Sequence, residues 1–106
     1  MEQPNLNYIN ELSGDDEVFK QKMIAIVKTE LPQEIESYQS LLKSQNFIAA
    51  AEMVHKLKHK ISVLGLEKSY YLAQTFEENL KNNNIQLQND FEFILERMSN
   101  FVTSLK

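Results

Sequence analysis

A chain of 106 residues suffices for one domain with a single modest core, and a hydrophobic fraction of 42% is too high for a disordered chain. The absence of cysteine excludes disulfides and thiolate metal sites, and a net charge of −4 with no basic face argues against nucleic acid as a partner. No apolar run approaches the roughly 18 residues needed to cross a bilayer, and the opening MEQPNLNYIN lacks the basic-then-apolar order of a signal peptide, so a soluble, cytoplasmic, free-standing protein is expected.

Two glycines and two prolines leave few breaks in a chain rich in Leu, Glu, Lys and Gln, so the helices must be long. The expected fold is all-α, an antiparallel four-helix bundle with a short N-terminal helix, with residues 1–106 forming one domain. The short helix is expected to start behind Pro4, which suits a first-turn position, with Leu6, Ile9 and Leu12 on one side. SGDDE at 13–17 reads as a break followed by a helix start, with acids where the helix dipole favours them. From Glu17 the apolar positions Phe19, Met23, Ile26 and Leu31 form a stripe that resumes at Ile35, Tyr38, Leu41 and Leu42. Pro32 interrupts the stripe without a glycine or turn cluster, which predicts one long helix kinked there. KSQN at 43–46 is the next break. Phe47, Ala50, Val54, Leu57, Ile61 and Leu64 then recur at alternating spacings of three and four, a continuous buried stripe that Gly65 ends. The following helix turns Leu66, Ala73, Phe76 and Leu80 inward and fades in KNNN at 81–84. The last, from about Asn89, buries Phe91, Ile94, Leu95, Met98, Phe101 and Val102.

The third of these segments carries the chain's only histidines, in VHKLKHKISVLG at 54–65. At about 100° per residue, His55 lies roughly 130° and His59 roughly 170° from the centre of the apolar stripe, so both face solvent. Ala51 lies one turn before His55, Lys58 and His59 one turn after, and Ser62 two turns on along the same side. Imidazoles four apart can share an ion, but two ligands rarely hold zinc without a third, and Lys56, Lys58 and Lys60 repel a cation. No metal is expected. The residues alone leave two alternatives, a reactive histidine or two solvent histidines on a charged helix face.

The segment resembles the histidine-containing phosphotransfer domain, whose active helix reads H-x-L-K-G, then a leucine-glycine pair, then a leucine-glutamate pair on the next helix. The matching residues are His55, Leu57, Lys58, Leu64, Gly65 and Glu77, with Phe76 in place of the second leucine. The likeness extends over most of residues 12 to 83, through the Gly-Asp at 14–15, Phe19, the mid-helix Pro32 and the short turn before the histidine helix. One position departs from the pattern: the glycine after the lysine is His59 here. Placing His59 at the active position instead puts isoleucine and serine where leucine and lysine belong, so the alignment selects His55.

The resemblance implies a phosphocarrier without ATP-dependent kinase activity. His55 Nε2 would take the phosphoryl group, Glu77 would accept a hydrogen bond from Nδ1 and fix the ring, and Lys58 would face the phosphoryl group as an exposed cation. The donor and acceptor would be receiver domains of response regulators, with a hybrid sensor histidine kinase as a further partner. The receiver would supply the aspartate and the magnesium, so this chain would need no cofactor of its own. Leu12, Ala51, His59 and Ser62 are the expected docking residues on a monomer. His59 also admits a docking module that binds a receiver without transfer. The dimerising histidine domain of a kinase fits less well, because Lys56 follows His55 where that family has an acid, and the chain has more helices than such a dimer needs.

Overall fold

A computed structural model describes residues 2–105. These fold into five helices, α1 (Asn7–Ser13), α2 (Glu17–Lys43), α3 (Phe47–Val63), α4 (Glu67–Lys81) and α5 (Gln88–Ser104). There is no strand among the described residues, and no helix is long and apolar enough to cross a membrane. The body measures 45 × 24 × 19 Å. Its long dimension is set by α2, whose 27 residues span about 40 Å at 1.5 Å per residue.

The helix ends follow from local chemistry. Asp16 caps α2, its carboxylate accepting from the Phe19 amide at 2.9 Å, and Asn46 caps α3 through the Ala49 amide. α2 continues through Pro32 as one helix. Three helices end in the same way. After α2, α3 and α4 a residue takes the left-handed conformation (Gln45, Gly65 and Asn83), and the next amide reaches back to the carbonyls of Leu41, Ile61 and Asn79. Only the second of these turns is marked by a glycine. Pro4 lies ahead of α1 and not within its first turn. The helix start is instead supported by Asn5, whose side chain accepts from the Asn7 amide at 3.0 Å.

The core is built on α3. Ala50, Val54, Leu57, Ile61 and Leu64 are buried as expected and Phe47 packs at the margin. Tyr38, Phe76 and Phe91, from α2, α4 and α5, meet in edge and tilted contacts with centroids 5.1–6.3 Å apart. The Tyr38 hydroxyl donates to Glu92 at 3.0 Å. One expected face is corrected. In the first half of α2 the buried residues are Ile24, Val27 and Leu31, while Phe19 and Ile26 are exposed. Two helical stripes offset by one position converge on Leu31, and packing against α1, α3 and α5 selects the one through Ile24 and Val27. In α1 Ile9 is buried and Leu12, one of the expected docking residues, is exposed.

The N-terminal segment ties the α3–α4 turn in place. The Glu2 carboxylate accepts from the Lys68 and Ser69 amides at the start of α4, at 2.7 and 2.9 Å, where the helix leaves donors unpaired. The Asn5 amide donates to the Leu64 carbonyl at 2.8 Å. The Arg97 guanidinium on α5 donates to the Glu2 carbonyl at 3.1 Å. Burial pushes the Glu2 carboxyl up, but the two amides, the Ser69 hydroxyl and the Lys68 charge outweigh it and hold it below its ordinary value.

Candidate functional site

The two most closely packed helices, α3 and α4, present the site on a shared edge. His55 projects from α3 with its side chain 54% exposed. Its Nδ1 lies 3.4 Å from Glu77 Oε1 and 3.3 Å from Oε2. Glu77, on α4, is buried, as is Lys58, whose ammonium lies 2.9 Å from Glu77 Oε1. Lys81, one turn further along α4, reaches Glu77 Oε2 at 3.5 Å. Burial pushes the Glu77 carboxyl up, but the hydrogen bond and charge of Lys58, joined by His55, outweigh it and hold the group below its ordinary value. Glu77 is therefore an ionised, fixed acceptor.

This arrangement changes the place of Lys58. It was expected to be an exposed cation next to His55, and it is buried because its stem packs between α3 and α4 while its charge is matched by Glu77 and lies over the Tyr70 ring, 5.4 Å from the centroid. Its charge acts on Glu77. Lys56 remains on the surface. Lys60 is turned to the other side, held by Glu30 at 2.9 Å and Glu34 at 3.1 Å on α2. Burial lowers its proton affinity, but hydrogen bonds and charge from both glutamates raise it above the ordinary lysine value.

His59, Ser62 and Leu12, expected as docking residues, are exposed. Ala51 is corrected: it is fully buried, because its methyl group falls on the side of α3 covered by its neighbours, and it offers a partner no surface. The His59 ring lies edge-on to that of His55, with centroids 5.2 Å apart. It also lines a polar cleft of about 560 Å³ between α1, α3 and α4, together with Tyr8, Glu11, Ser62, Glu67 and Tyr70. Among the described residues no group of three His, Asp or Glu could hold a metal ion.

Two members of the site were missed from sequence, Lys81 and Tyr70. Both carry a usable signal once Glu77 is chosen, since Lys81 is four residues after it and Tyr70 seven before it on the same face of α4. The Hpt domain family model matches residues 22–103, from the first third of α2 to the end of α5. No curated protein and no solved structure matches the chain.

Proposed function

The chain belongs to the Hpt domain family, and we propose that it is a phosphorelay intermediate in which His55 accepts a phosphoryl group from the aspartate of one receiver domain and passes it to the aspartate of another. Domains of this family serve in phosphorelays as phosphocarriers without kinase activity, and they interact with response-regulator receiver domains. The observation that carries the assignment to His55 is its exposed ring, held from behind at Nδ1 by a buried carboxylate.

With the proton on Nδ1 and directed at Glu77, the lone pair of Nε2 faces outward as the nucleophile. As the bond from Nε2 to phosphorus forms, the bond from phosphorus to the aspartyl oxygen breaks and aspartate leaves as a carboxylate. The imidazole then carries a positive charge with its Nδ1 proton retained. Glu77 lies next to that developing charge, Lys58 keeps the carboxylate ionised, and Lys81 also reaches it. Reversal of the same steps delivers the phosphoryl group to the second aspartate. Magnesium belongs to the receiver in this scheme, and the protein acts as a cytoplasmic monomer.

The packing of His59 against His55 supports a second reading, a module that docks on a receiver without transfer. Incubation with a phosphorylated receiver domain and magnesium separates the two. Acid-labile, alkali-stable label on the wild type that is absent from His55→Ala is the expected result. Receiver binding with no label on the wild type would overturn the phosphocarrier reading in favour of docking alone.

A further inference from the structure

Lys58 is buried against Glu77 and does not stand free beside the His55 ring. The His59 ring, itself exposed, lies edge-on to the His55 ring with centroids 5.2 Å apart, while Lys81 is drawn to Glu77 behind it. We propose, resting on the assignment of His55 as the phosphoryl acceptor, that His59 is a second catalytic residue of this site: its ring N–H contacts the phosphoryl group on His55 and stabilises the phosphorylated form, most strongly when the His59 ring is protonated.

Three features support this assignment. His55 and His59 are one turn apart on the same helix, with ring centroids 5.2 Å apart, so a group carried by the first ring is within reach of the second. An imidazole can donate from a ring nitrogen in either charge state, and a charged donor makes the stronger bond to phosphate oxygens. The surroundings also admit the charge. Glu11 of α1 and Glu67 of α4 line the same cleft, with Tyr8 of α1 and Tyr70 and Tyr71 of α4 as the other titratable groups. On its own helix His59 faces His55, and Lys58 next to it in sequence is neutralised by Glu77. His59 forms no bond to phosphorus. The proton it gains on titration comes from water and returns there.

The test is the equilibrium between phosphorylated receiver and phosphorylated His55, measured with magnesium from pH 6 to 8.5 for the wild type and His59→Gly. Receiver and His55 contributions cancel in the ratio of the two equilibrium constants. That ratio is expected to favour the wild type by roughly tenfold more at the acid end than at the alkaline end, the factor that corresponds to one unit of coupled titration. By the reciprocity of linkage, the NMR titration of the His59 ring should move to higher pH when His55 is phosphorylated. A flat ratio together with an unmoved His59 titration would overturn the assignment, as would a His59→Gly variant favoured equally at every pH, which would make His59 a steric filter. Absence of label on wild-type His55 is a separate outcome: it removes the phosphocarrier reading itself, and this inference with it.

Discussion

The ammonium of Lys58 lies 2.9 Å from Oε1 of Glu77, and both side chains are more than nine-tenths buried. A buried ion pair of this kind is a poor source of net stability compared with apolar packing, yet breaking it is costly because the remaining charge is stranded. Lys58→Met should therefore lower the stability of the bundle by about 2–4 kcal/mol, somewhat below the usual cost of such a break because Lys81 also reaches Glu77. The double variant Lys58→Met/Glu77→Leu should recover most of the loss. Denaturant midpoints of the three proteins provide the check, and a single variant as stable as the wild type would put Lys58 back on the surface.

The same pair gives the domain an acid sensitivity of defined sign. The Glu77 carboxyl is held below its ordinary value of 4.5 in the folded state. Its contribution to stability is complete above that unfolded value and is lost as pH falls through the lower folded one. Glu2 acts in the same direction and in the same range. The melting temperature of the wild type should accordingly fall more steeply between pH 5 and 3 than that of Glu77→Gln, whose residual slope reports Glu2 and the remaining carboxylates. Parallel slopes would mean that the fold does not lower the Glu77 carboxyl below its ordinary value.

How far these features were readable beforehand differs by helix. The stripe of α3 and the inward faces of α4 and α5 were legible because each had one apolar face and no competitor. The first half of α2 was not, because Phe19 and Ile26 compete with Ile24 and Val27, and only the placement of the helices packed on α2 decides between them. At the site, the outward placement of His55 followed from helix geometry alone. The burial of Lys58 did not: a lysine is exposed by default, and its matching carboxylate comes from another helix, 19 positions away in sequence. Ala51 failed for a related reason, since a small residue next to an exposed one can face either way until the neighbouring helix is placed.

His55 should be separable from the fold. Its side chain is half exposed and its contacts with Glu77 are long, at 3.3 and 3.4 Å. His55→Ala should change stability by no more than about 0.5 kcal/mol, as expected of a surface substitution, while Glu77 keeps its lysine partners. Far-ultraviolet circular dichroism and a melting curve suffice, and a large loss of stability would mean that the ring contributes to the core.

The turn that brings Glu77 to His55 depends on Gly65. Its φ of +77° is strained for any residue with a Cβ, and a Cβ built there falls 2.5 Å from Asn5 Oδ1 and 2.7 Å from Nδ2. The left-handed conformation alone costs a non-glycine residue about 1–2 kcal/mol. Displacing Asn5 adds the loss of its bond to the Asn7 amide at 3.0 Å, although the side chain is short and only partly buried. Gly65→Ala should therefore destabilise the protein by about 2–3 kcal/mol. In a double-mutant cycle with Asn5→Gly the steric part should disappear and the conformational part remain, giving an interaction energy of about 1 kcal/mol. Strict additivity would show that the N-terminal segment does not press on the turn. In that case the register of α3 against α4, and with it the reach from Glu77 to His55, would be set by the core alone.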